Sequence, residues 1–314
     1  MPAAAKKTSL APVNSKPGHR MRVLVGVRTY NEAEFYLTRG ADEVYCGLPS
    51  IPNHGVKAEN FSSEAELLAT IDLARRLNKQ AFLVANDVFP GAVFPKTAAK
   101  VAALVERGMS GVIIRDLALL EYFKKRGLKT YFTLSTLGLC FNREALKFFR
   151  ERGVSRIVLP QHLTPAEARP MFDRKLGMDI EVFCLPLFYE VNINSLCSLS
   201  CPCSQEAVTD VKDQRAYTCL SALKRGDGAG SYAMPMPGSK ALLNYFYDFY
   251  HLGASCMKVA RGPNGEEVKE LFYKSLLLTR LLERGVSREA FVHEGLKIVS
   301  SAQNYGKRYI VKRY

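Results

Sequence analysis

The chain has 314 residues, 47% of them apolar and 24% charged, the proportions of a globular protein and not of a disordered or fibrous one. A formal charge of +14 tilts the partner toward an anion, nucleic acid being the commonest, although the same charge can serve solubility alone. No stretch reaches the roughly eighteen consecutive apolar residues of a membrane span, so a cytoplasmic protein is expected, and eight cysteines in such a chain argue for metal, catalysis or burial over a disulfide framework.

Residues 1–20, "MPAAAKKTSLAPVNSKPGHR", lack the apolar core of a signal peptide and read as a disordered basic leader. From residue 21 short β-branched runs alternate with amphipathic stretches of helical length. The strand candidates are "RVLVGV" (22–27), "EVYCGL" (43–48), "QAFLVAN" (80–86), "GVIIRD" (111–116), "KTYFTLS" (129–135), "RIVLPQ" (156–161) and "DIEVFCL" (179–185). Several are nearly all apolar, as strands buried on both faces should be. Between them lie helical patterns such as "SSEAELLATIDLARRLN", "KTAAKVAALVERG", "NREALKFFRERG" and "TPAEARPMFDRKLG". Many close on a glycine, at Gly40, Gly108, Gly127, Gly153 and Gly177, and "NREA" and "TPAE" supply N-caps.

After a gap an eighth unit appears: "LLNYFYDFYHLG" as a helix, "SCMKVAR" (255–261) as a strand and "GEEVKELFYKSLLLTRLLERG" as a closing helix. Eight such units predict a (β/α)8 TIM-like barrel over residues 21–285, with an open doubly wound sheet as the alternative. The gap, residues 186–242, is a long Cys-containing insertion between strands 7 and 8. It leaves from the C-terminal end of strand 7, the face where barrels keep their chemistry. Residues 286–314, ending "GKRYIVKRY", read as a basic C-terminal extension.

Cys140 has apolar neighbours and reads as a packing residue, as do Cys46 and Cys184, whose places near strand ends leave the core and the site as the two directions they can face. Cys197, Cys201, Cys203 and Cys219 lie in the polar insertion, without a strand or helix pattern to bury them, and Cys256 falls on the adjacent eighth strand. Zinc favours paired knuckles, and only Cys197-x3-Cys201 has such a spacing. An iron–sulfur cluster tolerates the irregular spacing better. A radical S-adenosylmethionine site wants C-x3-C-x2-C, from which "CSLSCPC" departs by one residue.

The stretches "GADEVYCGL" (40–48), "FLVAND" (82–87), "IIRDLALLEYFKKRGLKTYFTLSTLGLCFNREALKFFRERGVSRIVLPQHLTPAEA" (113–168), "DIEVF" (179–183) and "GASCMKVARGPNGEEV" (253–268) resemble peptidase family U32. That family joins collagenase-type peptidases with oxygen-independent hydroxylases of ubiquinone biosynthesis and of tRNA and ribosomal RNA bases. The resemblance implies a [4Fe–4S] cluster held by Cys197, Cys203, Cys219 and Cys256, with Cys201 the rival of Cys203. It also implies a second U32-type subunit as one partner and prephenate as an oxygen donor in the RNA-modifying members. The chain departs from the family pattern where His-Gly after "EVF" becomes "CLPLFYEVNIN", where Arg-Glu after strand 6 becomes Gln161-His162, and where "KIEGR" becomes "KVARG".

Strand C-terminal ends supply the remaining candidates. Asn86, Asp116 and Ser135 match family positions and, with His162, are the expected catalytic groups. Arg28, Arg115, Lys258 and Arg261 are the expected substrate-binding cations, each with a cap or rim salt bridge as its plainer role. No G-x-S-x-G or H-E-x-x-H motif supports a peptidase. The expected function is therefore an iron–sulfur hydroxylase acting on an RNA base (tRNA or rRNA). The same chemistry on a quinone-type molecule, or a peptidase or peptide-binding protein with a structural cluster, are the alternatives.

Overall fold

The computed structural model describes residues 19–55, 57–185, 238–261 and 265–300, together with the two-residue strands β8 (Leu223–Lys224) and β9 (Ser231–Tyr232). Eight parallel strands form a closed barrel: β1 (Arg22–Gly26), β2 (Glu43–Cys46), β3 (Gln80–Ala85), β4 (Gly111–Ile114), β5 (Tyr131–Leu134), β6 (Val154–Val158), β7 (Asp179–Phe183) and β10 (Cys256–Val259). Each pairs with its neighbour in sequence, and β10 slots between β7 and β1, with Cys256 opposite both Glu181 and Arg22. All eight strands expected from the sequence are present. β8 and β9 form a small antiparallel pair apart from the barrel.

The helices that clothe the barrel follow from local caps. Thr29, Ser63, Asp116 and Asn142 each accept a hydrogen bond from a first-turn N–H of α1 (Tyr30–Thr38), α2 (Glu64–Arg76), α4 (Leu117–Lys125) and α5 (Arg143–Glu151). α3 (Phe94–Glu106) opens instead on Pro95. After α4 and α5 the chain turns into the next strand through Gly127 (φ 66°) and Gly153 (φ 96°), the left-handed conformation expected of them.

One segment differs from expectation. "TPAEARPMFDRKLG" is not a continuous helix: Thr164 and Glu167 make the predicted capping box, but α6 (Pro165–Ala168) lasts a single turn and gives way to two 3-10 turns. Pro170 removes a backbone donor, and the side chain of Asp173 then starts the second of those turns by accepting the Lys175 N–H.

At the C-terminal side α7 (Ser239–Leu252), α8 (Gly265–Glu283) and α9 (Arg288–Val299) close the shell. The run "YFYDFY" is helix core, with Phe246 and Tyr247 of α7 against the ring of Phe291 on α9. Residues 288–299 thus belong to the packed body, because Phe291 and Val292 are buried there, and are not part of an extension. Among the described residues no helix is long and apolar enough to cross a membrane.

Side chains of one parity fill the barrel. Leu24, Tyr45, Phe82, Val84 and Ile113 form its apolar lining with Cys256 and Tyr131. The other half of the interior is ionic and buried: Glu43, Arg156, Glu181 and Lys258, contributed by β2, β6, β7 and β10.

Candidate active site at the barrel mouth

The C-terminal ends of the strands surround an open cavity. Its floor is apolar, made by Val84, Ile113, Val158 and Phe183, and its wall carries Asn86, Ser135, Gln161, Lys258 and Arg261. Tyr45, His54 and Glu59 complete it on the side of β2.

Asn86 follows β3 and Ser135 follows β5, and they meet across the mouth. The Asn86 Oδ1 accepts the backbone N–H of His54 at 2.9 Å, which fixes the amide so that its Nδ2 donates to Ser135 Oγ at 3.1 Å. Ser135 Oγ also accepts the Leu137 N–H at 3.4 Å. Taking two hydrogen bonds, the hydroxyl keeps its own proton for a further acceptor.

Lys258 rests on the ionic interior. Its Nζ lies 2.9 Å from Glu181 Oε1 and 4.2 Å from the centroid of the Tyr45 ring. Burial opposes the ammonium charge, and Glu181 more than reverses that, so the lysine pKa is raised and the group is a cation. Glu181 shares its other oxygen with Arg156 at 3.1 Å, and Arg156 forks onto Glu43 at 2.6 and 2.8 Å. Burial alone would push the Glu181 carboxyl up; Lys258 and Arg156 hold it below its ordinary value. The network alternates in charge around half the barrel, which is the condition for keeping four ions out of water.

Arg261 is steered by its neighbours. Its backbone N–H donates to the Tyr45 hydroxyl at 2.8 Å, and its guanidinium donates to the Glu59 carbonyl at 3.1 Å and reaches Asn53 Oδ1 at 3.5 Å. Room for this path exists because residue 26 is glycine: a Cβ there would stand 2.1 Å from Arg261 Cγ and 2.7 Å from Tyr45 Cζ.

The expected site residues therefore divide. Asn86, Ser135, Lys258 and Arg261 converge on the mouth, while Asp116, His162, Arg28 and Arg115 lie off its wall. Asp116 is a cap: its carboxylate accepts the N–H groups of Ala118 at 2.9 Å and Phe89 at 3.2 Å. His162 turns its ring toward Phe141, 5.3 Å away, leaving Gln161 on the wall. Arg28 pairs with Glu32 at 2.9 Å beside a smaller cavity that it shares with Arg261 and Gly265. Arg115 stands 4.0 Å from Asp87.

Sequence reasoning did not single out Tyr45, Glu59 or the network of Glu43, Arg156 and Glu181. The signal for the network was present: Glu43, Arg156 and Glu181 are charged residues within largely apolar strands, all at inward-facing parity.

Cys46, Cys140 and Cys184 are buried, as expected of packing thiols, and burial lifts Cys46 and Cys140 to about 12. Cys197, Cys201, Cys203 and Cys219 lie outside the described residues. Cys256, the remaining expected iron ligand, faces the interior one inward position below Lys258 and is 0% exposed. Its Sγ lies 3.7 Å from the Arg156 guanidinium and 3.9 Å from Glu43 Oε2, with Leu24 and Tyr131 in the same packed lining. Burial keeps this thiol well above its ordinary pKa. Cys256 is thus packed among barrel side chains, and no other cysteine of the expected ligand set is among the described residues.

Comparison with known proteins names the family. The sequence profile described as Peptidase family U32 matches residues 28–190, more than half of the chain. The chain is 25% identical over 155 residues to "tRNA hydroxylation protein P" of Escherichia coli, covering 49% of this chain and 34% of that protein. It is 24% identical over 151 residues to "Collagenase" of Porphyromonas gingivalis, covering 48% and 36%. The matches thus span about a third of the length of these curated relatives. A solved U32 peptidase is similar at 13% identity and a TM-score of 0.42, over 57% of this chain and 74% of that one. With the profile covering strands β2 to β7 and more than half of the chain, the chain belongs to peptidase family U32.

Proposed function

We propose that the protein is an RNA-modifying enzyme that hydroxylates a nucleobase in the cavity at the mouth of its barrel. The observation that carries this reading is the donor-rich wall: Lys258, Arg261, the Ser135 hydroxyl and the Asn86 amide all offer protons above an apolar floor. Such a pocket suits a flat ring whose edge presents carbonyl acceptors, as a nucleobase does once turned out of its stack. The relative named for tRNA hydroxylation and the charge of +14 support RNA as the carrier of that base.

A redox centre belongs to this reading as an expectation from the cysteine-rich insertion. Cys197, Cys203, Cys219 and Cys256, with Cys201 the rival of Cys203, are the thiolates expected to hold a [4Fe–4S] cluster, which would supply the electron transfer that the side chains of the mouth lack. The residues of the mouth bind and orient the base and exclude water from it. The relative named Collagenase raises peptidase chemistry as a second reading. Against it stands Ser135, whose oxygen accepts from an amide and from a backbone N–H instead of donating to a base, so it is not an activated nucleophile.

The test is anaerobic incubation of the full chain with unmodified tRNA and prephenate supplied as the oxygen donor, followed by mass spectrometry of the nucleosides and iron and sulfide analysis of the protein. The expected result is a nucleoside heavier by one oxygen, made by the wild type and reduced at least tenfold in Lys258→Met and Ser135→Ala. Cleavage of gelatin with no change in any nucleoside overturns the reading.

A further inference from the structure

The outer face that feeds strands β5, β6 and β7 carries a concentration of unpaired cations. Ahead of β5 stand Lys124, Lys125, Arg126 and Lys129; ahead of β6 stand Lys147, Arg150 and Arg152. Arg174 and Lys175 precede β7. All nine side chains are exposed, and among the described residues none forms an ion pair. The carboxylates of residues 124–175 are largely spent: Glu144 and Asp173 bind Arg143, and Glu167 binds Thr164.

These cations are neighbours in space. Phe132 pairs with Val154 and Arg156 with Asp179, so the three loops enter the barrel side by side, about 4.8 Å apart per strand. Arg150 Nε donates to the Leu176 carbonyl at 2.9 Å, tying the second loop to the third. One cation at the end of α4 and one at the end of α5 answer the helix dipoles. Arg126 and Arg152 also stack on Tyr122 and Phe148, and the side chains of the lysines and of Arg174 make no hydrogen bond or ring contact among the described residues.

We propose that this sector is a docking surface for the phosphate backbone of a folded RNA. The inference rests on the RNA-modifying reading and adds the place where the RNA is held, away from the mouth. Strands of four to six residues span under about 20 Å, so one RNA hairpin reaches from this face past the rim. A membrane is the poorer occupant. The one large apolar side chain exposed in the sector, Phe148, lies under the Arg152 guanidinium, 3.4 Å from its ring centroid, and offers nothing to insert between lipids.

Filter retention of a tRNA transcript by the full chain, across a salt series, tests the surface. Lys129→Glu, Arg152→Glu and Lys175→Glu combined should weaken binding by about a hundredfold at 0.1 M salt and flatten the salt slope by about two. The combination Arg76→Glu, Lys96→Glu and Arg107→Glu changes the charge equally on α2 and α3 and should leave both nearly as in the wild type. Acetylation footprinting of the wild type needs no variant: RNA should protect Lys124, Lys125, Lys129 and Lys175 but not Lys96. Equal binding by the two combinations, or protection of Lys96 alone, overturns the surface while base hydroxylation still stands or falls on its own assay. Retention of phosphatidylserine vesicles in place of tRNA overturns it too and assigns the sector to a membrane.

Discussion

Inside the barrel two linings face one another, and they hold the fold by different means. On the side of β3 and β4, Phe82, Val84 and Ile113 contribute apolar area, non-directional and tolerant of small changes. On the side of β6, β7 and β10, Arg156, Glu181 and Lys258 join Glu43 in a chain of charge-assisted hydrogen bonds. The apolar side would accept many sequences of the right volume. The ionic side accepts few, since every member is the counter-charge of another, and in return it fixes Lys258 at the mouth to a tolerance that apolar packing does not give.

The largest effect that can break this comparison comes from removing the central cation. Arg156→Leu leaves Glu43 with only Arg22, at 3.4 Å, and one oxygen of Glu181 buried without its cation, and should cost about 3–5 kcal/mol, read as a loss of thermal and urea stability. Ile113→Ala on the apolar side should cost about 2–4 kcal/mol, the transfer and cavity terms of one aliphatic side chain. The sharper test replaces Glu43, Arg156, Glu181 and Lys258 together by Leu and Met of similar volume. If the network serves precision more than stability, this variant melts near the wild type and well above Arg156→Leu, while hydroxylation is lost. A melt as low as that of Arg156→Leu would show that the ions themselves carry the stability.

Acid should then separate the two linings. Glu181 has a folded pKa below its unfolded value of about 4.5, so its stabilising share is complete above that value and is lost as pH falls through the depressed one. Lys258 is raised above 10.5, so its share is complete below that pH and is lost only as pH rises through the folded value. Urea midpoints should therefore hold between pH 6 and 9, flanking values being set by these two groups, and fall below about pH 4.5. In the all-apolar replacement the acid fall should be shallower.

How legible these regions were in the sequence follows from the same contrast. Strands such as "GVII" announce themselves because burial on both faces demands an unbroken apolar run, and the others were placed by their regular alternation with helical patterns. The ionic side was hidden in plain view. Glu43, Arg156 and Glu181 look like strand-end charges until parity is counted, and parity needs the registers that only the closed barrel supplies. Cys256 follows the same rule: two residues before Lys258 on one strand means the same inward direction, one step deeper into the packed lining. At the mouth, Asn86, Ser135, Lys258 and Arg261 could be found as strand-end residues, but Asp116 at an equivalent position serves its helix. A strand end and a helix N-cap are the same place in a βα unit, so position alone does not choose between chemistry and capping.

Asp116 gives the smallest effect and the cleanest separation of those two roles. Asparagine keeps an oxygen for the Ala118 N–H of the cap but turns an amide donor toward the Phe89 N–H, so Asp116→Asn should cost about 1 kcal/mol, and Asp116→Ala, which loses both bonds, about 2 kcal/mol. Hydroxylation should be unchanged in Asp116→Asn, because the carboxylate oxygens are already occupied by the N–H groups of Ala118 and Phe89. A variant that keeps its fold yet loses activity would return Asp116 to the chemistry. It would also mean that the loop from Asp87 to Phe94 swings on substrate binding to bring that carboxylate to the mouth, since Phe89 is the residue that holds it away.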